Sequence, residues 1–335
     1  MVEPRLVIHG GAGELTPNQL TKEQEKAYRH GLRASLEAGY QVLKEKDDAL
    51  LAAVAAVVSL ENNEVFNAGK GAVFTNAGTN ELEASVMASG QYDKKAAAVS
   101  LVKHVKNPIK LAAELLKYEQ DTHVLLAGEA VEKMAEEFGL EMVDQSYFFT
   151  QKRWDEHRRG LKKGAANTID DEDKEEGYAP KGTVGAVAMD SKGVIVAATS
   201  TGGLTNKIPG RIGDTPQAGA GFWAEEIGHR KPLIVRILSG KTEERASVGL
   251  SGTGNGDGFI RSNLCHSIVS LVKHKRYSLQ RAAEQVIADT PTEAGVIGID
   301  GFTGDAVFSM NCSMNRGYID NGGAKVALYE GEVPS

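Results

Sequence analysis

One segment places a hydroxyl where it could first cut its own chain and then act on a substrate. Gly182-Thr183-Val184-Gly185-Ala186-Val187-Ala188-Met189-Asp190 sets a threonine directly after a glycine and at the head of an apolar run. The Thr183 hydroxyl could attack the Gly182 carbonyl, move the acyl group from nitrogen to oxygen, and release the preceding chain by hydrolysis. A glycine before the scissile bond presents no side chain and tolerates strained backbone angles. Once free, Thr183 would carry nucleophile and base on one residue. An α-amino group has a reference pKa of ~7.7–8.0, so its neutral form could take the hydroxyl proton. Alone, a threonine opening a strand is an ordinary β-branched strand residue, and its neighbours must decide.

The next apolar run ends in Thr199-Ser200-Thr201-Gly202-Gly203, after the glycine-containing turn Asp190-Ser191-Lys192-Gly193. A hairpin in that register brings Thr201 beside Thr183. Further on, Gly210-Arg211-Ile212-Gly213-Asp214 sets a cation and an anion in a glycine-flanked turn. The pair could clamp a free amino acid, Arg211 on its α-carboxylate and Asp214 on its α-ammonium. The competing reading is an exposed salt bridge of little consequence. Ser251-Gly252-Thr253-Gly254-Asn255-Gly256-Asp257 is a third cluster, whose backbone N–H groups could converge on a developing oxyanion. It lacks the register and the following Lys-Ser/Thr of a phosphate-binding loop.

The elements that must position these residues can be read from spacing. Leu6–Ile8 reads as a buried strand entering the turn His9-Gly10-Gly11-Ala12-Gly13. Thr21 and Gln24 form a capping-box pattern ahead of a helical stripe of Tyr28, Leu32, Leu36, Tyr40 and Leu43. Asp47 and Asp48 open a second helix, apolar all round from Leu50 to Val58 and so expected inside the fold. Strands are expected at Ala72–Phe74, Leu82–Met87, Ala96–Val102, Thr183–Met189, Val194–Ser200, Gly295–Ile299 and Ala306–Met310. Helices are expected at Pro108–Tyr118, Glu129–Phe138, Gly258–Lys275 and Leu279–Asp289. Strands at both chain ends with helix pairs between them predict two antiparallel sheets with helices outside, an α+β arrangement. From Asp155 to Gly182 the sequence is polar and charged, which predicts a mobile, exposed linker.

Seven motifs occur together in order. They are His9–Gly13, Phe66-Asn67-Ala68-Gly69-Lys70-Gly71, Asn107-Pro108-Ile109-Lys110-Leu111-Ala112, Gly182–Ala188, Ser200–Gly203, Gly210–Asp214 and Thr253–Gly256. From about Leu6 to Leu328 the chain resembles the plant-type asparaginase/isoaspartyl peptidase family of N-terminal nucleophile hydrolases. The resemblance implies a four-layer αββα sandwich, a single domain over residues 1–335 cut between Gly182 and Thr183 into 1–182 and 183–335, and a homodimer of cut protomers. It implies Thr183 as nucleophile, Thr201 as its hydrogen-bonding partner, Thr253 and Gly254 as the oxyanion hole, and Asn67 assisting cleavage. Substrate would lie along Arg211, Ile212, Gly213 and Asp214, and along Thr253, Gly254, Asn255 and Gly256. It also implies a structural Na+ or K+ on the main-chain carbonyls of Leu60, Glu61, Asn63, Phe66, Ala68 and Lys70. No organic or redox cofactor is implied. The activity implied is hydrolysis of L-asparagine and β-aspartyl dipeptides, with a glycosylasparaginase or an uncut aspartyl-binding protein as alternatives.

The chain departs from the family pattern in three places. Leu82-Glu83-Ala84-Ser85 and Met87-Ala88-Ser89-Gly90 stand where Met-Asp-Ala-Ser and Met-Asp-Gly are usual. Asn255 and Asp257 replace His or Thr, and Glu. An insertion between Glu226 and Ser247 is expected to form a lid or extend the dimer contact.

Composition excludes other classes. The chain has 335 residues, 38 glycines and a net charge of −7. The acidic balance argues against a nucleic-acid partner, and glycine excess without a Gly-X-Y period argues against collagen. Cys265 and Cys312 are too few for a disulfide scaffold and fit a reducing compartment. No secretory signal or membrane-spanning run is read, so a cytoplasmic protein is expected.

Overall fold

The computed structural model describes residues 2–90, 94–118, 123–163, 182–230, 243–320 and 323–335. Its strands are, in chain order, β1 (Arg5–Gly13), β2 (Leu82–Ala88), β3 (Lys95–Val102), β4 (Leu125–Ala127), β5 (Val184–Met189), β6 (Ile195–Thr201), β7 (Phe222–Arg230), β8 (Glu243–Gly254), β9 (Ala294–Asp300), β10 (Asp305–Met310), β11 (Ser313–Asp320) and β12 (Gly323–Ala327). The α-helices are α1 (Lys22–Lys46), α2 (Ala49–Glu61), α3 (Pro108–Lys117), α4 (Glu129–Glu137), α5 (Gln151–Lys163), α6 (Gly256–Ser262), α7 (Leu264–Lys275) and α8 (Leu279–Ala288).

Two sheets result, with strand orders β12-β11-β1-β5-β6-β2-β3-β4 and β10-β9-β8-β7. All pairings are antiparallel except β3 with β4. The two-residue pleat sorts the core. On β1, Leu6 and Ile8 join an apolar cluster shared with α1, α2 and α3, whereas Val7 joins a second cluster with Phe222, Ala224, Ile297 and Ile299 of the smaller sheet. On β5, Ala186 and Ala188 face the first cluster, and Val187 and Met189 the second. A third cluster joins the smaller sheet to α7 and α8 through Leu250, Val296, Ile268, Val272, Leu279 and Ala283. The fold is mixed α and β with two sheets.

Local signals explain the first helices. Thr21 caps α1, its hydroxyl accepting from Gln24 N–H while the Gln24 side chain accepts from Thr21 N–H. Asp48 caps α2 through Leu51 N–H. α2 packs on α1 and against β5 and β6, as its uniform apolarity requires.

Four expectations need correction. β1 does not stop at Ile8 but continues through Gly13, with a register shift between His9 and Gly11. Ala72–Phe74 is not a strand: Val73 N–H donates to the Asn67 carboxamide, and the Asn80 amide donates to Ala72 and Val73 carbonyls. Side chains have taken the backbone groups that a ladder would need. The helix from Gly258 to Lys275 is two helices, because Asn263 adopts the left-handed conformation (φ 48°) between them. The stretch from Asp155 is not a mobile linker at its start, since α5 runs to Lys163. Arg153 is buried and donates to the Gly71 carbonyl (2.9 Å) and to Glu156 (2.9 Å). His157 Nδ1 meets the Asn206 side chain (2.5 Å), whose amide donates back to the His157 carbonyl (3.1 Å). The remainder, 164–181, lies outside the described residues.

Part of the insertion extends β7 and β8, where Ile227 pairs with Ala246 and Arg230 with Glu243. At ~3.4 Å per residue the run from Thr253 back to Glu243 leads about 34 Å along the strand. These paired residues extend the hairpin; the rest of the insertion, 231–242, lies outside the described residues. Among the described residues no helix is long and apolar enough to cross a membrane.

Candidate active site

Thr183 sits just before β5, between β1 and β6, and is nearly buried at 6 % exposure. Val184 pairs with Ser200, so the hairpin register places Thr201 next in line opposite Thr183. Beneath the threonine runs a chain of polar groups. His9 Nδ1 lies 2.8 Å from the Thr183 carbonyl, His9 Nε2 2.8 Å from Ser251 Oγ, and Ser251 Oγ 2.8 Å from Thr199 Oγ1. A carbonyl can only accept, so Nδ1 carries the hydrogen, Nε2 accepts from Ser251, and Ser251 accepts from Thr199. Burial drives the His9 imidazole down to about 3, which keeps it neutral. His9 therefore orients the Thr183 backbone and takes no acid–base part near neutral pH.

Gly182 is held in a cradle. A Cβ on it would stand 2.6 Å from Thr253 Oγ1 and press on the backbone of Ala12. Ala12 N–H donates to the same Thr253 hydroxyl at 3.0 Å. The glycine loop after His9 thus closes over the residue whose carbonyl Thr183 would attack, and only glycine fits there. Gly182→Ala is expected to slow self-cleavage at least about tenfold, since the added methyl must displace backbone. A denaturing-gel time course after expression would show it; cleavage at the wild-type rate would contradict the cradle.

Thr201 Oγ1 accepts from Gly203 N–H at 3.0 Å. Asn67 fixes the same turn, its carbonyl accepting from Gly202 N–H (3.0 Å) and its amide donating to the Gly203 carbonyl (2.8 Å). These contacts make Asn67 a support for the turn after Thr201.

A cavity of about 20 Å3 is lined by Gly182, Thr183, Thr201, Gly203, Leu204, Arg211, Asp214, Gly254 and Gly256. That space holds roughly one water, with Gly182 forming part of its wall. Of the residues read from sequence, the structure brings Thr183, Thr201, Arg211, Asp214, Gly254 and Gly256 together there. Thr253 stands behind Gly182. Asn67, Ile212, Gly213 and Asn255 do not line the cavity: Gly213 N–H binds Glu83, and Asn255 caps α6 by accepting from Gly258 N–H (2.9 Å). A larger cavity of about 750 Å3, lined by Glu81, Leu101, Lys103, His104, Glu132 and Lys133 among others, contains none of these groups.

Arg211 and Asp214 do not pair as a surface salt bridge. Arg211 Nη2 binds Asp257 Oδ1 at 2.9 Å, while its Nε and Asp214 Oδ2 are buried without a hydrogen-bond partner among the described residues. Gly256 makes this possible, for a Cβ there would lie 2.5 Å from Asp214 Oδ1 and 3.1 Å from Arg211 Nη2. Burial, then the neighbouring Glu83 charge, push the Asp214 carboxyl up to about 7. A buried acceptor without a donor is costly, so the site is chemically ready for a ligand that brings a cation to Asp214 and an anion to Arg211. Sequence reading marked Glu83 and Asp257 only as departures from the family pattern and missed Glu81 and Lys207; Glu81 and Glu83 reach the loop from about 130 residues away and leave no local signature.

On a two-sheet scaffold, the structure thus sets a threonine after a glycine-cradled peptide bond and beside a buried Arg–Asp pair. The asparaginase family profile matches residues 2–229 and 237–328, and the chain belongs to that family. It is 39 % identical to the isoaspartyl peptidase of Escherichia coli K12, over 88 % of this chain and 86 % of that protein. It is 36 % identical to the Xenopus laevis isoaspartyl peptidase/L-asparaginase over 75 % and 81 % of the two chains. With the mouse isoaspartyl peptidase/L-asparaginase the identity is 39 %, covering 72 % and 75 %.

Proposed function

We propose that this chain is a self-processing hydrolase that cleaves the side-chain amide of L-asparagine and the isopeptide bond of β-aspartyl dipeptides. The observation that carries this reading is the unpartnered Asp214 Oδ2 and Arg211 Nε beside Thr183. A substrate with α-carboxylate and α-ammonium satisfies both, which sets its β-carbonyl toward the threonine hydroxyl.

In processing, Thr183 Oγ attacks the Gly182 carbonyl carbon, the Thr183 nitrogen leaves, and water hydrolyses the resulting ester. The products are a Gly182 carboxylate and a free Thr183 amine. In turnover that amine takes the hydroxyl proton as Oγ attacks the substrate carbonyl. Thr253 and Gly254 stabilise the oxyanion, and ammonia or an amino acid leaves with a proton returned by the amine. Water then releases aspartate from Thr183. Thr201 and the turn held by Asn67 orient the nucleophile.

The three apolar clusters support a four-layer αββα sandwich of the N-terminal nucleophile hydrolase type, one domain from two chains. The docking of α5 supports its staying with the 1–182 fragment. We further propose a homodimer of cut protomers, and a cytoplasmic setting, for which the free, buried Cys265 and Cys312 speak.

A structural Na+ or K+ is proposed at the loop from Leu60 to Lys70. The Phe66 and Glu64 carbonyls crowd the space a Gly71 Cβ would fill, and the Glu61 carbonyl does the same at Gly69. Leu60, Asn63 and Ala68 carbonyls each already accept a backbone N–H, and a second lone pair remains on each. Oxygen donors of this kind suit a hard cation. Exchanging Na+ and K+ for tetramethylammonium is expected to lower Tm by a few degrees, as removal of a native-state ligand must; an unchanged Tm in differential scanning calorimetry would contradict the site.

Rates on L-asparagine, a β-aspartyl dipeptide and a sugar-linked asparagine, measured side by side, test the substrate assignment. Turnover of the first two and rejection of the third is expected. Turnover of the sugar-linked compound alone would favour a glycosylasparaginase.

A further inference from the structure

We infer that Glu83 is a positioning residue for the substrate clamp, the side chain through which β2 sets where Arg211 and Asp214 stand. The inference rests on the clamp roles proposed above. The pleat sends Glu83 and Ser85 to one side of β2; together with Glu81, which directly precedes the strand, they hold the same loop. Glu81 Oε2 accepts from Gly210 N–H at 2.8 Å, and Glu83 Oε1 from Gly213 N–H at 3.0 Å. Ser85 Oγ donates to the Thr215 carbonyl at 2.7 Å. The buried Lys207 adds a fourth tie, its Nζ donating to the Glu81 carbonyl at 2.6 Å. Arg211 therefore lies between the ties at Gly210 and Gly213, and Asp214 between those at Gly213 and Thr215. Only the Glu83 tie is shared by both.

The backbone is distorted at the same point. Leu82 pairs with Val102 and Ala84 with Val99, so Glu83 alone opposes Ser100 and Leu101 across a bulge. Leu101 takes the left-handed conformation (φ 55°), which an L-residue with a branched side chain rarely adopts. Bulges re-aim the side chains around them. On its other edge Glu83 pairs with Thr201, the residue facing the nucleophile.

The second carboxylate oxygen points the same way. Glu83 Oε2 is fully buried without a hydrogen-bond partner among the described residues, and lies 3.2 Å from where a Gly213 Cβ would be. The charges acting on Glu83 are Lys207, Arg211 and Glu81, and Glu83 in turn acts on Asp214. Nothing in the ordinary packing of a strand requires a carboxylate here. Its placement is explained by a loop whose cation and anion must be held at a fixed separation.

The test compares Glu83→Ala, Glu83→Gln and Ser85→Ala in the full chain, each first checked for self-cleavage. Substrates are L-asparagine and succinamic acid, which lacks the α-ammonium. Glu83→Ala is expected to raise KM for L-asparagine roughly tenfold and to shrink the preference over succinamic acid by a similar factor, the scale of one hydrogen bond to a charged group. Its kcat should stay within about threefold, because the reacting atoms are untouched. Glu83→Gln keeps an oxygen for Gly213 N–H and should recover part of the KM; Ser85→Ala should shift KM in the same direction by less. A cut Glu83→Ala protein with wild-type KM and preference, or one that loses kcat with KM unmoved, overturns the inference. If Glu83→Ala fails to cut, an unchanged KM in both other variants overturns it. A wild-type chain that neither cuts nor turns over L-asparagine would instead sink the functional reading on which it rests.

Discussion

Thr183→Ala is expected to leave the protein as one uncut chain with no measurable hydrolysis of L-asparagine. The substitution removes the atom that attacks in both reactions, and cleavage is what exposes the amine that serves as base. Loss of a nucleophile in a unit of this kind costs on the order of 10^4- to 10^6-fold in kcat. The fold should persist, because the side chain lost is one hydroxyl and one methyl at a site anchored through backbone contacts. Those contacts are the His9 bond to the Thr183 carbonyl and the β1 and β6 ladders on β5. Mass spectrometry and an activity assay read the two losses separately, and self-cleavage in the alanine variant would remove Thr183 from the mechanism.

The second large effect belongs to the clamp. Arg211→Ala, or Asp214→Asn, is expected to lower kcat/KM for L-asparagine by roughly 10- to 100-fold, from the loss of one charge-assisted contact. Self-cleavage should continue, since neither side chain supplies an atom to the attack of Thr183 on Gly182. The pH dependence follows with a definite sign. Burial and the Glu83 charge push the Asp214 carboxyl up to about 7, so the carboxylate that binds the substrate ammonium is lost as pH falls through 7. kcat/KM should therefore rise with pH through that region. The free Thr183 amine contributes a separate limb at its reference ~7.7–8.0. Asp214→Asn should remove the first limb and leave the second. The same raised carboxyl makes the substrate-free protein lose stability as pH rises from the ordinary 3.8 toward about 7, and a bound ammonium group offsets that loss.

Much of the site was legible because its parts are local. The Thr21–Gln24 cap, the Asp48 cap and the hairpin joining β5 to β6 all follow from residues within a few positions of one another. That hairpin is what brings Thr201 opposite Thr183. The supports were not legible, because each joins segments far apart in sequence. Glu81 and Glu83 reach Gly210 and Gly213, Arg153 reaches Gly71, and His157 reaches Asn206. On composition alone, α5 is a charged stretch like any linker; only its partners make Arg153 a buried residue. β8 was hidden for another reason, since Gly249, Gly252 and Gly254 interrupt its apolar alternation where it packs against β5, β6 and β9. Glu83 stands out in the sequence only as a departure from the family pattern; its hydrogen bond to Gly213 N–H is visible only in the fold.

Intact-mass analysis of the purified wild-type chain under denaturing conditions shows whether Thr183 is freed. Two fragments are expected, one ending at Gly182 and one beginning with a free amine on Thr183. A single uncut chain that still hydrolyses L-asparagine or a β-aspartyl dipeptide would contradict the mechanism.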